Sequence, residues 1–168
     1  THSVVPTNHP RHVGEPFNKL GKSGREAIQQ ADLIVSLGWV DLGGVLRQAL
    51  GANPVTAKVV HVNQDMHLHN GWGRETFQLP PTDLLIVADP DETVRELIGE
   101  LGIHPKLNEK LESAAEFPEF SGHLNLVDVA RELSAAVGSQ KVSFASLARA
   151  WPTKYWPFSD PLSYLGKD

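Results

Sequence analysis

The sequence contains no cysteine, which excludes disulfide bonds and thiolate metal sites. Positive charge is also scarce: 15 lysine and arginine residues face 20 aspartate and glutamate residues, so the formal net charge is −5. Because no basic stripe is present to neutralise phosphates, we expect no nucleic-acid partner. No apolar run approaches the length of about 20 residues that a membrane-spanning helix needs. We therefore expect no membrane partner, and the missing cysteines favour a reducing, cytoplasmic location.

Common catalytic and phosphate-binding motifs are missing as well. The chain has neither G-x-G-x-x-G after its strands nor G-x-x-x-x-G-K-[ST], the glycine-rich loops that hold dinucleotides and nucleoside triphosphates. It also lacks G-x-S-x-G and H-E-x-x-H, which mark serine hydrolases and zinc proteases. None of these motifs therefore supplies a catalytic residue.

What the sequence does contain is an alternation of apolar runs and amphipathic segments, over 168 residues, a length typical of one domain. Short apolar runs at 33–37, 58–62 and 83–89 predict strands. Strands that alternate with helices form parallel βαβ units. We predict an α/β three-layer sandwich with a parallel Rossmann-like sheet, whose strand at 33–37 is covered on both faces. Amphipathic patterns at 124–137 and 143–151 predict further, C-terminal helices.

Local signals place the ends of the helices. Ser23 and Glu26 have the spacing of a capping box, which predicts the start of a first helix. Asp41 is placed to cap a second helix, which ends at Gly51. Asp89, followed by a proline and two acidic residues, predicts the start of a third helix that continues to residue 101.

The last part of the sequence, residues 150–164, concentrates aromatic residues and prolines. The prolines prevent a regular helix or strand, and the aromatic side chains need a surface that covers them. We expect a neighbouring domain or subunit to provide this surface. The alternative is that the segment folds back over the core of its own chain.

The ends of the predicted strands carry the candidate cofactor-binding residues, which are Gly38, Trp39, Asn63, Asp65 and Asp89. In an open parallel sheet, ligands bind outside the carboxyl ends of the strands, where helix N-termini attract phosphate. Asp65 is placed to accept a hydrogen bond from a ribose hydroxyl. The alternative interpretation is structural, with Asp41 and Asp89 as helix caps and Asn63 in a turn.

A histidine-rich stretch follows the second strand. Asp65, His67 and His69 would point to one side of an extended segment, and two imidazoles with a carboxylate are able to bind a metal ion. The extended geometry ends if the chain turns at Asp65, however, and Asn70 and Gly71 favour a turn soon afterwards. We therefore favour a solvated or interface loop and predict no metal site.

Several short stretches of the chain form a recognisable series. They are Thr-Asn-His-Pro at 7–10, Val-Gly at 13–14, Ala-Asp-Leu-Ile-Val-Ser-Leu-Gly at 31–38, Val-Val-His-Val-Asn at 59–63 and Asp-Leu-Leu-Ile-Val-Ala-Asp at 83–89. In this order and spacing they resemble the central domain of thiamine-diphosphate-dependent enzymes. The branch that they resemble contains acetolactate synthase, benzoylformate decarboxylase and related 2-oxo-acid decarboxylases. The resemblance covers roughly residues 1–101.

This resemblance implies a larger parent enzyme. The family's central domain has about six strands, so it implies a truncated α/β segment at 1–102, a helical connection at 103–140 and the start of the following thiamine-diphosphate-binding domain at 141–168. In the family, a glutamate of the first domain activates the thiamine ring, and a G-D-G motif of the third domain holds the diphosphate and Mg²⁺. No G-D-G occurs in this sequence.

The implied role is therefore noncatalytic. The chain would contribute structure and subunit assembly without binding thiamine diphosphate or Mg²⁺ itself, and its partners would be the other domains of the same enzyme in a homo-oligomer.

Some relatives hold FAD or ADP at the strand ends of the central domain, through contacts that map to Gly38, Asn63, Asp65 and Asp89. Where acetolactate synthases have Gly-Ala-Arg, this chain has Gly38 followed by tryptophan and valine. Because an indole replaces the cationic partner, we expect weak or no binding of FAD and ADP. An alternative function is a stand-alone, small nucleotide-binding α/β module, which the strand ends support and the missing glycine fingerprint opposes.

Overall fold

The computed structural model describes residues 5–13, 20–65, 79–102, 110–120, 122–148 and 150–165. Along the chain they form α1 (Lys22–Gln30), β1 (Leu33–Leu37), α2 (Leu42–Leu50), β2 (Lys58–Asn63), β3 (Leu84–Val87), α3 (Pro90–Glu100) and α4 (Leu126–Val137). The chain divides into two compact units. We call Asn18–Lys106 the sheet unit, and Thr1–Phe17 together with Leu107–Asp168 the aromatic unit.

The sheet unit contains a parallel sheet in the order β1-β2-β3, so that β2 lies in the centre. In the register of the sheet, Ser36 lies beside His61, and His61 lies beside Leu85. The predicted strands are all present, and β3 is shorter than the apolar run that indicated it. The prediction of an α/β fold with a parallel, open sheet and helices is confirmed.

The core of the sheet unit lies between β2 and the pair of helices α1 and α2. Leu42 and Leu46 are four residues apart and therefore lie on the same side of α2, where they pack with Val59 of β2 in a buried cluster. Ile28 of α1 and Ile34 of β1 pack against this cluster. The apolar periodicity of the helices is thus satisfied on one face of the sheet.

The predicted ends of α2 and α3 are confirmed. The Asp41 carboxylate accepts a hydrogen bond from the Gly44 amide, and α2 ends at Gly51 with a φ of 64°, a conformation that favours glycine. The Asp89 carboxylate accepts hydrogen bonds from the first amides of α3. These carboxylates satisfy amides that have no partner within the helix.

The predicted capping box at the start of α1 is wrong. The helix begins at Lys22 after Gly21, no side chain caps it, and Ser23 lies within its first turn. Gly24 is the buried residue of the helix. Glu26 instead lies 3.7 Å from the Lys22 ammonium.

The prediction that β1 is covered on both faces is also wrong. Ile34 and Ser36 point towards the covered face, and Ser36 is buried. Leu33, Val35 and Leu37 alternate with them and therefore point to the other face, where they are 53%, 45% and 44% exposed. In the sheet that the described residues form, β1 is in addition an edge strand. The sheet unit therefore presents an apolar strand face and an open strand edge side by side.

A polar clamp joins the beginning of β2 to the residue before β3. One oxygen of the Asp83 carboxylate lies 2.7 Å from the Lys58 ammonium, and the other accepts a hydrogen bond of 2.8 Å from the Val59 amide. The Asp83 amide donates to the Val59 carbonyl oxygen at 2.9 Å. The clamp thus fixes the register of the two strands at the point where their pairing begins.

The aromatic unit is organised by α4, which begins with a capping box between Asn125 and Asp128. Ala130 of this helix is buried against Trp151, Phe158 and Tyr164. The helix was predicted from residue 124 and begins at Leu126. The expectation that residues 150–164 need a neighbouring domain or subunit to cover them is wrong, because their largest side chains fold back into the core of their own chain.

The helix predicted at 143–151 does not form in the described part of this stretch, residues 143–148 and 150–151. Phe144 instead pairs with Tyr164 in a parallel bridge. Its ring lies 5.2 Å from the ring of Trp151 and 5.0 Å from that of Trp156. A helix at 143–151 would point Phe144 away from these rings. Aromatic packing therefore prevails over the helical periodicity of the sequence.

No helix among the described residues is long and apolar enough to cross a membrane. The predicted division at residues 102 and 140 concerns the domains of a parent enzyme, and it stays a prediction.

We expect the Asp83 clamp to make the stability of the sheet unit depend on acid. The hydrogen bond from Lys58, followed by the one from the Val59 amide, lowers the pKa of Asp83 below its ordinary value of 3.8. A lowered pKa means that folding favours the ionised form, so the stabilisation is complete above the ordinary value and is lost as the pH falls through the lowered one. Asp83→Asn should therefore destabilise the chain near neutral pH, and this destabilisation should shrink as the pH falls through the lowered pKa of Asp83.

Urea unfolding at a series of pH values measures this difference. Lys58→Met is the matched variant, because it removes the ammonium and should abolish most of the pH-dependent difference between aspartate and asparagine at position 83. Parallel curves for the wild type and Asp83→Asn over the whole acid range would contradict the assignment.

Candidate functional site

The carboxyl ends of β1 and β2 and the start of α3 meet at one edge of the sheet. The Gly38 amide donates a hydrogen bond of 2.8 Å to the Val62 carbonyl oxygen, and the Ala88 amide donates one of 3.1 Å to the Asn63 carbonyl oxygen. Gly38 has a φ of 61°, and a Cβ atom at this position would lie 3.2 Å from Pro90 Cγ. Position 38 thus requires glycine, because both its backbone conformation and the close approach of α3 disfavour a side chain.

Side-chain amides cross-link this edge. The Gln64 amide nitrogen donates a hydrogen bond of 2.7 Å to the Asp89 carboxylate, which joins the end of β2 to the cap of α3. The Asn63 amide nitrogen donates one of 3.0 Å to the Asp65 carboxylate. The side chains of three of the five candidate residues, Asn63, Asp65 and Asp89, therefore form hydrogen bonds within the chain.

The amides at the helix N-termini are engaged by carboxylates. The Gly44 amide donates to Asp41 at 2.9 Å, and the amides of Asp91 and Glu92 donate to Asp89 at 2.9 and 3.1 Å. The structural interpretation of Asp41 and Asp89 as caps is thus confirmed. A phosphate at either terminus would have to displace a carboxylate of the chain, because both bind the same amide donors.

The exposed part of this edge is apolar and acidic. Trp39 is 42% exposed and is followed by the similarly exposed Val40. Asp65 is exposed at the end of β2. An anionic ligand here would meet the carboxylates of Asp41, Asp65 and Asp89, which would repel it because like charges repel. The arrangement suits neither a diphosphate nor a dinucleotide, and the assignment of the five residues to a cofactor stays a prediction.

The candidate metal group is described only in part. Asp65 lies in the described residues, whereas His67 and His69 lie outside them. Within the described ranges no group of three histidine, aspartate or glutamate side chains is placed to hold one metal ion. The prediction that the histidine-rich stretch forms no metal site stays a prediction.

Sequence reasoning missed two polar features of the sheet unit. Gln64, the residue between Asn63 and Asp65, forms the link to Asp89, and its position directly after a strand was the available signal. His61 and Ser36 form a buried pair, with 3.0 Å between His61 Nδ1 and Ser36 Oγ. They are register partners on adjacent strands, which a sequence cannot reveal before the strands are aligned. Their burial points to packing rather than catalysis.

Comparison with models of protein families, with curated proteins and with solved structures finds no match.

We expect the strand-end edge to bind FAD and ADP with a dissociation constant no tighter than roughly 1 mM, which corresponds to about −4 kcal/mol. The physical reason is that its helix amides are occupied and its exposed charges are negative. Titration of tryptophan fluorescence with each nucleotide measures the affinity, and Trp39→Phe shows how much of the signal comes from this edge. A saturable micromolar response that Asp65→Ala weakens would show that the edge is a working nucleotide site.

Proposed function

We propose that this chain is a noncatalytic segment of the central domain of a thiamine-diphosphate-dependent 2-oxo-acid decarboxylase or synthase. Its role is to carry structure and subunit contacts in a cytoplasmic homo-oligomer. The parent enzyme makes or breaks carbon–carbon bonds with thiamine diphosphate and Mg²⁺, which other domains hold. The family in this proposal rests on the order of the short stretches between residues 7 and 89. The exposed surface of β1 supports the structural role.

The supporting observation is the apolar face of the edge strand. Parallel sheets occur almost only where both faces are covered, yet Leu33, Val35 and Leu37 are about half exposed. Natural proteins protect edge strands with charged residues or proline, and β1 contains neither. Such a strand is suited to an interior position in a larger sheet, as the proposed parent domain requires.

The residues of the chain do not fit thiamine diphosphate or its metal ion. The G-D-G motif is absent, and the carboxylates at the strand ends cap the helices of the chain itself. The same carboxylates disfavour the alternative function, a stand-alone nucleotide-binding module. Both considerations support a segment whose contribution is structural.

The reading frame on both sides of this sequence tests the family proposal. We expect a strand-helix-strand unit upstream and a G-D-G motif downstream, and we expect the protein from the whole frame to decarboxylate a 2-oxo acid only with thiamine diphosphate and Mg²⁺. A start codon directly before Thr1 and a stop codon after Asp168 would contradict the proposal.

The surface of β1 gives a second test, on the chain by itself. We expect the isolated chain to self-associate, because the unpaired backbone N–H and C=O groups of the β1 edge can pair with the same edge of a second copy. Val35→Lys should shift the chain towards monomer in sedimentation equilibrium, because a lysine in an edge strand opposes pairing with a second strand. Val13→Lys is the matched control, since Val13 is 46% exposed but lies outside the sheet. A strictly monomeric wild type at high concentration, or an equal effect of both substitutions, would count against this role.

A further inference from the structure

The aromatic unit contains a cavity of about 410 Å³ that lies away from the strand ends. The last turn of α4 and residues 140–144 form one side, and residues 156–163 form the other. The volume falls within the range of about 300–1,000 Å³ that is usual for small-molecule sites. The cavity lies wholly within one compact unit.

Backbone hydrogen bonds hold the two sides of the cavity in place. The Phe144 amide donates to the Ser163 carbonyl oxygen at 2.9 Å, and the Leu165 amide donates to the Phe144 carbonyl oxygen at 2.9 Å. A turn shapes the second side, because the Leu162 amide donates to the Asp160 carboxylate at 2.8 Å and the Ser163 amide donates to the Asp160 carbonyl oxygen. The cavity is thus formed before any ligand arrives, which lowers the entropic cost of binding.

The walls of the cavity contain two aromatic rings and two charged side chains of opposite sign. Phe144 and Trp156 stack edge to face with 5.0 Å between ring centroids, and both line the cavity. Lys141 lines one side and Asp160 the other. Among the described residues neither takes part in an ion pair, so one ammonium and one carboxylate remain for a ligand. Four serine residues also line the cavity, namely Ser134, Ser143, Ser159 and Ser163.

We propose that this cavity binds a small zwitterion with an apolar body, of the class of aromatic α-amino acids. The ligand carboxylate pairs with Lys141, its ammonium pairs with Asp160, and its ring lies against Phe144 and Trp156. A ligand with a single charge would pair with only one of the two protein charges. A purely apolar ligand would leave both of them unpaired.

Calorimetric titration of the intact chain tests the proposal with three probes that differ only in charge. L-phenylalanine carries both groups, 3-phenylpropanoate lacks the ammonium, and 2-phenylethylamine lacks the carboxylate. We expect saturable binding of L-phenylalanine and roughly tenfold weaker binding of each analogue, the effect of one lost charged hydrogen bond. Equal affinity for the three probes, or no saturable heat with L-phenylalanine, would overturn the proposal.

Two substitutions separate the two charges. Lys141→Met should weaken L-phenylalanine and 3-phenylpropanoate roughly tenfold and leave 2-phenylethylamine unchanged. Asp160→Asn should do the reverse, and its side-chain carbonyl oxygen is still able to accept the hydrogen bond of the Leu162 amide, so the turn is kept. Lys110→Met, which removes a lysine that does not line the cavity, is the control. Binding that responds to none of these substitutions, or equally to all three, would place the ligand elsewhere.

Near-ultraviolet circular dichroism shows whether each variant keeps the native packing, so that a loss of binding is not mistaken for a loss of folding. The aromatic cluster beneath the cavity should give the same spectrum in the wild type and in each variant, because Lys141 and Asp160 are exposed and lie outside that cluster. A variant with the native spectrum and unchanged affinity for all three probes would exclude its residue from the site.

Discussion

The sheet unit depends on the backbone pairing of β2, because this strand alone of the three has a neighbour on each side. β2 also carries Val59 and Val62, whose side chains are almost completely buried on opposite faces of the sheet. Each face of the strand is thus tied to packing as well as to hydrogen bonding. The Asp83 clamp fixes the strand at its beginning, and Gly38 and Ala88 donate to its last carbonyl groups. A shift of β2 by one residue would reverse its faces and dismantle both arrangements.

The strands and the caps of this fold are local properties, and the sequence therefore predicts them. Short apolar runs give the three strands, and Asp41 and Asp89 identify two helix starts because a cap needs only its own neighbouring amides. The start of α1 was missed because the helix begins before Ser23 and does not use the predicted cap. The stretch at 143–151 was missed because Phe144 packs against rings that come later in the chain. Tertiary contacts of this kind leave no periodic signal.

The sequence predicts which residues lie at the strand-end edge but not which of them form hydrogen bonds with each other. The rule for parallel sheets brings Gly38, Asn63 and Asp89 to one edge from sequence order alone. Which groups bind each other there depends on distances that a sequence does not contain, such as the 2.7 Å between Gln64 and Asp89. These contacts engage the helix amides and carboxylates that a phosphate would have to displace. The cavity of the aromatic unit had no signal in the sequence, because the end of α4 and the residues after it form one side and a separate, irregular segment forms the other.

The hydrogen bonds between Thr7 and Phe158 have a consequence for the order of folding. The Thr7 amide donates to the Phe158 carbonyl oxygen and the Phe158 amide donates to the Thr7 hydroxyl, across 151 residues of sequence. During synthesis on the ribosome, residue 7 emerges long before residue 158 exists, so this part of the aromatic unit has to wait for its partner. The sheet unit is continuous in sequence and is complete earlier. The connectivity of the chain therefore favours an order in which the sheet unit folds first and the aromatic unit folds last.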